Sequence, residues 1–189
     1  MWHHLPNLIS GLRLLLVLPV FWLIGEHEYA KALLIAALAG ASDAIDGFLA
    51  KRFAWQSRLG GLLDPLADKM LLLACFSGLV MVDALPVWLL VLVIGRDLVI
   101  VSGAVAYHNL IGAFDAQPSR LSKLTTLVQI LCVLGELLRL AWWPGLPGRS
   151  FMLYTTAMLT LLSGLHYVVT WSARARRILL QRKQGNPSR

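Results

Sequence analysis

Charge is scarce in this chain of 189 residues. Asp, Glu, Lys and Arg together make up 14% of it, where a soluble domain carries about 25%. That shortage excludes a soluble globular enzyme, and with 58% hydrophobic residues it also excludes a disordered chain. Cysteine is nearly absent. Cys75 and Cys132 both sit inside apolar runs, so no disulfide framework is expected and each reads as a small buried hydrophobe. No internal repeat is visible, which argues against the two-fold architecture of secondary transporters. Residues 1–25 lack a basic start and an Ala-x-Ala site, so they do not read as a cleaved signal peptide. His3, His4, His27 and His166 show no ligand spacing.

What is there in quantity is apolar sequence in long runs. The mean hydropathy is +0.69, and punctuation divides the runs into six candidate spans. These cover Gly11–Ile24, Ala32–Ala50, Leu59–Val82, Pro86–Tyr107, Leu121–Trp142 and Phe151–Trp171. A spanning helix needs about 20 residues, so six leave room only for short loops. The expected fold is all-α: one polytopic membrane domain over 1–189 with six transmembrane helices. Met1–Ile9 mixes Trp2, Leu5, Leu8 and Ile9 with polar residues, as a short N-terminal interfacial helix would. Basic residues gather at Lys51, Arg52 and Arg58, at Arg120 and Lys123, and in a tail over about 173–189. The opposite loops are poor in them, so the positive-inside rule places both termini and the Lys51–Arg58 loop in the cytoplasm. The basic tail after a span reads as a contact for anionic headgroups rather than for nucleic acid. Trp142, Trp143 and Trp171 fall at span ends, where interfacial aromatics belong.

Four of the ten acidic residues, Asp43, Asp46, Asp64 and Asp68, lie at one cytoplasmic hairpin between the second and third spans. Asp43 and Asp46 share a helical face with Gly47 and Ala50, and Gly60, Asp64 and Asp68 repeat every four residues on the next helix. Facing lipid, each Asp would cost about 2.5–3.5 kcal/mol and all four roughly 10–14 kcal/mol. They must face a bundle interior or a wet cavity with something to neutralise them. Near in sequence, the basic residues are Lys51, Arg52, Arg58 and Lys69. One reading is solvated helix ends in surface ion pairs. The sharper reading is a divalent metal site, because carboxylate-only ligation suits Mg2+ or Mn2+. Four carboxylates suit a pair of such ions, an arrangement that serves phosphoryl chemistry. Gly47, Ala50, Gly60 and Gly61 either admit a bulky phosphate ligand or let helices pack closely.

The pattern Asp43-x-x-Asp46-Gly47-x-x-Ala50-Lys51, eight residues, then Gly60-x-x-x-Asp64-x-x-x-Asp68 resembles the signature of the CDP-alcohol phosphatidyltransferase family. Its eight positions run over 26 residues, and one departs: Lys51 stands where the family has Arg, with Arg52 next to it. Pro6-Asn7-Leu8-Ile9-Ser10-Gly11-Leu12-Arg13 resembles the family's segment entering the first helix, with Ser10 where Thr is common. The resemblance implies six membrane helices around a cavity open to the cytoplasmic leaflet. It also implies transfer of a phosphatidyl group from CDP-diacylglycerol to an alcohol, with release of CMP. By matched position, Asp43, Asp46, Asp64 and Asp68 would hold two divalent cations, Mg2+ or Mn2+, and Asp68 would also be the catalytic base. Asn7, Gly47, Lys51, Ser57 and Gly60 would contact CDP-diacylglycerol. A homodimer in a bacterial-type inner membrane, with the active site facing the cytoplasm and no nucleic-acid partner, completes the expectation.

The motif does not name the acceptor. Gly95-Arg96-Asp97 stands where the family's glycerol-phosphate enzymes have Arg-Glu, and Ala104 stands where they have a second Arg. Ser122-Lys123-x-x-Thr126-x-x-Gln129 resembles a stretch of CMP-forming cardiolipin synthases. The missing cation suits an acceptor with less negative charge than glycerol 3-phosphate. Phosphatidylglycerol is therefore the favoured acceptor, glycerol 3-phosphate the alternative, and a non-enzymatic ion transporter a remote third reading. Arg96 and Lys123 are the candidates for the acceptor phosphate. Arg96 has an equal alternative as a structural partner of Asp97 or Glu136. His108 and Asn109 read as ordinary loop residues near the cytoplasmic end of the fourth span.

Overall fold

The computed structural model describes residues 5–53, 60–111 and 119–183, with side chains described at 11–42, 67–105 and 119–173. Among these the regular structure is all helix, joined by short turns. Six helices follow in order: α1 (Leu5–Gly25), α2 (Tyr29–Phe53), α3 (Gly60–Met81), α4 (Val87–Ile111), α5 (Arg120–Ala141) and α6 (Arg149–Lys183). They match the six apolar runs, with two differences. Leu5–Ile9 continues directly into α1 rather than standing apart from the first span. The last helix runs through the start of the basic tail to Lys183, giving 35 residues, far beyond the roughly 20 that a bilayer core requires.

Three described stretches are long and apolar enough to cross a membrane: Val87–Val105, Arg120–Ala141 and Arg149–Ala173. Gly11–Gly25 and Tyr29–Ser42 are shorter apolar helical stretches. The large side chains that face outward are apolar, among them Leu15, Leu18, Trp22, Leu98, Phe151 and Val169. A water-soluble protein does not leave a surface of that kind uncovered; it is the surface of a membrane protein.

The helices divide into two compact units, Met1–Leu90 with Ile130–Arg149, and Val91–Gln129 with Ser150–Arg189. In the first unit α1 packs against α2 and α3. Arg13, Val20 and Ile24 form the buried stripe of α1 at helical spacing, while Leu12, Leu15, Leu18 and Trp22 face outward. On α2 the small residues Ala32, Ala36 and Ala39 are buried, which lets backbones approach closely. On α3 the buried row runs through Ala67, Leu71, Cys75 and Leu79.

Two left-handed residues close helices in this unit. His27 has φ 61° and Asp83 has φ 57°. After α1, the Glu28 amide donates to the Leu23 carbonyl at 2.8 Å and the His27 amide to Ile24 at 3.1 Å. After α3, the Ala84 amide donates to Leu79 at 2.8 Å and the Asp83 amide to Val80 at 3.1 Å. Both are Schellman caps built without glycine. Glu136, buried at 6% exposure, ties down the same unit. It accepts from Arg139 Nε at 3.0 Å and Nη2 at 2.7 Å, and from Arg149 Nε at 3.2 Å, while Arg149 Nη2 reaches the Ala84 carbonyl at 2.7 Å.

The second unit is held differently. Most of its buried side chains are polar: beside Val93 and Ala157, Arg96, Ser122, Thr125, Gln129, Thr160 and Ser163 are each under 10% exposed. Thr125 Oγ1 lies 2.8 Å from its own Leu121 carbonyl and 3.2 Å from the Leu159 carbonyl of α6. Gln129 Nε2 donates to Thr160 Oγ1 at 3.0 Å. In lipid, where apolar contact between helices has no advantage over contact with acyl chains, such bonds and small side chains supply much of the association.

The α1–α3 seam is tight at Gly78, where a Cβ would meet three carbons of Ile24 at 3.1 Å. Gly78→Ala is expected to destabilise the detergent-solubilised protein by roughly 1–3 kcal/mol, the cost of overpacking. Gly40→Ala, at a site with nothing within 4 Å, is expected to be neutral or slightly stabilising through helix propensity. Thermal unfolding of the two variants side by side checks the seam.

Candidate active site

The signature is carried by two helices of the first unit. Asp43, Asp46, Gly47 and Lys51 lie in the C-terminal half of α2, Gly60 opens α3, and Asp64 follows within that helix. Asn7 lies in the first turn of α1. The side chains of these seven residues, and Ser57 altogether, lie outside the described residues. Asp68 is the one member of the signature whose side chain is described. It sits on α3 one residue beyond the buried Ala67, with 44% of its side chain accessible.

Asp68 is engaged from an unexpected direction. Arg13 of α1, 55 residues away in sequence, donates from Nη1 to Asp68 Oδ1. The arginine is 3% exposed and the aspartate much more open, so the cation lies sunk between helices and the anion stands at the accessible side. An arginine at the centre of an apolar helix costs about 2.5–3.5 kcal/mol on insertion scales unless it is sheltered and paired; the ion pair with Asp68 removes most of the reason for that cost. Sequence reasoning looked for counter-charges among residues near the hairpin and so missed Arg13. The available signal was helical phase, since Arg13 shares a stripe with Val20 and Ile24.

A carboxylate set of this kind offers only oxygen donors, which is the chemistry that hard divalent cations require. Asp68 fits that role, because its carboxylate is partly open rather than enclosed. Among the described side chains no group of three or more His, Cys, Asp or Glu gathers.

The acceptor candidates lie in the second unit. Arg96, on α4, is buried and engaged by its neighbours. Nη1 donates to Asp97 Oδ1 at 2.7 Å, Nη2 to Ser122 Oγ at 2.6 Å and to Ser163 Oγ at 3.0 Å, and Nε to Ser163 at 3.3 Å. The pairing with Asp97 is one of the two alternatives the sequence left open. Glu136, the other, is instead held by Arg139 and Arg149. Lys123 is exposed. The Ser-Lys-x-x-Thr-x-x-Gln stretch thus splits by burial: Ser122 and Gln129 are buried and bonded to Arg96 and Thr160, and Lys123 faces outward. His108 and Asn109 belong to the last turn of α4, and their side chains lie outside the described residues.

Comparison with known proteins bears directly on the signature. A family profile described as CDP-alcohol phosphatidyltransferase matches residues 3–174. The chain is 35% identical over 149 residues to a protein of Rattus norvegicus named cardiolipin synthase (CMP-forming), covering 70% of this chain and 49% of that one. It is 38% identical over 113 residues to a Streptomyces coelicolor protein of the same name, covering 56% and 53%. It is 32% identical over 169 residues to a Blochmanniella floridana protein named CDP-diacylglycerol–glycerol-3-phosphate 3-phosphatidyltransferase, covering 87% and 83%. The chain spans about half the length of the rat and Streptomyces relatives. With a match over most of its length, and with the signature aspartates set on the consecutive helices α2 and α3, the chain belongs to the CDP-alcohol phosphatidyltransferase family.

Proposed function

We propose that this chain transfers a phosphatidyl group from CDP-diacylglycerol to an alcohol, releasing CMP. The observation that carries the reading is the eight-position signature from Asp43 to Asp68, borne on α2 and α3 within a family match over residues 3–174. In this reading the chain is a single membrane domain of six spans. The lengths of α1, α2 and α3, at 21, 25 and 22 residues, support spans for the first three helices, since about 20 suffice. The basic loops place the aspartate end and both termini in the cytoplasm, in a bacterial-type inner membrane. Two copies form a homodimer.

The roles follow the chemistry of each side chain. Asn7, Gly47, Lys51, Ser57 and Gly60 hold the cytidine diphosphate, with Lys51 or the adjacent Arg52 supplying positive charge. Asp43, Asp46, Asp64 and Asp68 hold two divalent cations, Mg2+ or Mn2+. Bound there, these would offset the charge that develops on the CMP phosphate as it leaves. The acceptor oxygen attacks the phosphatidyl phosphorus, Asp68 takes the hydroxyl proton, and the bond from that phosphorus to the CMP oxygen breaks. Both acyl chains stay in lipid while the headgroups react at the membrane surface.

Phosphatidylglycerol is the favoured acceptor, with cardiolipin as product. The Ser122–Gln129 stretch and the names of the rat and Streptomyces relatives support it. Glycerol 3-phosphate is the second reading, favoured by the name of the Blochmanniella relative, which this chain covers most fully of the three. Arg96 and Lys123 are the acceptor-binding candidates. Lys123 has the exposed ammonium, and Arg96 is the more structural of the two.

Two outcomes are expected from the full chain in mixed micelles with CDP-diacylglycerol. CMP release should need Mg2+ or Mn2+, stop with a chelator, and fall about 10²–10⁴-fold in Asp68→Asn, the range for loss of a general base. Full activity in that folded variant would remove Asp68 from the chemistry. With each acceptor offered separately, cardiolipin should form from phosphatidylglycerol, and Lys123→Gln should raise the acceptor KM while leaving that for CDP-diacylglycerol unchanged. Product from glycerol 3-phosphate alone would reassign the acceptor.

A further inference from the structure

Among the described ion pairs, Arg13–Asp68 has an unusual distribution of burial. The other buried pairs are closed or inverted. Arg96 and Asp97 are both sunk, at 5% and 19%, and Glu136 is the buried partner of the more open Arg139 and Arg149. In Arg13–Asp68 the cation is at 3% and the acid at 44%. A pair that served only to join α1 to α3 would have no need of an accessible acid.

The support beneath the pair is rigid. Arg13 shares its stripe with Val20 and Ile24, both at 0% exposure, and Ile24 is seated directly on Gly78 of α3. Asp68 continues the row of Leu71, Cys75 and Leu79 on that helix. The guanidinium therefore comes up from a fixed base to Oδ1. An arginine suits this task, because its planar fork loses little freedom in holding a carboxylate in one orientation.

We propose that Arg13 is a positioning residue for the phosphatidyl transfer. It grips Asp68 through Oδ1 from the buried side and so fixes the direction in which the carboxylate meets the acceptor hydroxyl. This rests on the role of Asp68 proposed above. It gives α1, which carries no signature aspartate, a defined part in the chemistry. A base displaced by about 1 Å loses on the order of 10²-fold in rate, and the loss falls on turnover rather than on binding of the lipid nucleotide.

The test uses the full-length protein in detergent, with kcat expressed per folded molecule. Arg13→Met is expected to lower kcat about 100-fold with KM for CDP-diacylglycerol near the wild-type value, and Arg13→Lys to regain part of the loss. If Arg13→Met folds poorly, Arg13→Lys carries the decision: it keeps the charge but loses the fork, so its kcat should lie below wild type. A second readout is independent of activity. In metal-free buffer, the thermal midpoints of Arg13→Met, Asp68→Asn and the double variant should be non-additive, as expected of residues in contact. Wild-type kcat in folded Arg13→Met or Arg13→Lys, with Asp68→Asn inactive, would overturn the positioning role and leave the proposed function standing. Additive midpoints would overturn it as well. Activity in Asp68→Asn would instead remove the reading on which it rests.

Discussion

A charge carried into an apolar helix bundle must be met by an opposite charge or by fixed hydrogen bonds, and most of what is distinctive in this chain follows from that constraint. Ten acidic residues and 17 basic ones are set among 58% hydrophobic residues, and among the described residues the buried ones do not stand alone. Arg13 is met by Asp68, Arg96 by Asp97, Ser122 and Ser163, and Glu136 by Arg139 and Arg149. Each group joins elements distant in sequence or pins a helix to the turn beside it. The charges are thus few because each one in the interior requires a built environment. Breaking such a pair strands a charge in low dielectric, which is far more costly than the pair is stabilising.

The two units answer the constraint in different ways. In the first, apolar side chains and alanines fill the seam of α1 with α2 and α3, and Gly78 lets Ile24 approach. In the second, the interior is mainly hydroxyls, an amide and one guanidinium beside Val93 and Ala157, and most large apolar side chains face out. Soluble proteins sort the other way, because water drives apolar groups inward. In lipid that drive is absent between helices. Threonines bonding back to their own helix, such as Thr156 to Met152 at 2.8 Å and Thr160 to Thr156 at 2.7 Å, keep each hydroxyl satisfied and still present it to a neighbour.

The fold was readable because lipid imposes a simple rule on sequence: long apolar runs and short polar interruptions. All six helices were anticipated, but α6 runs on to Lys183, well past the Trp171 end of the sixth run. The caps after α1 and α3 were invisible, because His27 and Asp83 take the left-handed conformation that glycine usually marks. The signature was readable because its residues are close in the chain and repeat at helical spacing. Arg13 was not, because its pairing with Asp68 is tertiary and crosses 55 residues. Arg96 lay between these cases. Its neighbour Asp97 was evident from adjacency, while Ser122 and Ser163 come from α5 and α6.

That difference in range also explains why the family was clear and the acceptor was not. The signature runs over 26 residues of α2 and α3, and under the proposed function it would serve the step that every member shares, binding the cytidine diphosphate. Recognition of the acceptor has no such compact address. The stretch that resembles cardiolipin synthases illustrates the problem: Ser122 and Gln129 are occupied in joining helices, so their identity reports on packing as much as on ligand. A motif of this kind can follow a subfamily faithfully because the subfamily shares a helix interface. The acceptor must therefore be read from side chains that are charged, accessible and not already spent on their neighbours. By that criterion Lys123 speaks to the acceptor more directly than Arg96 does.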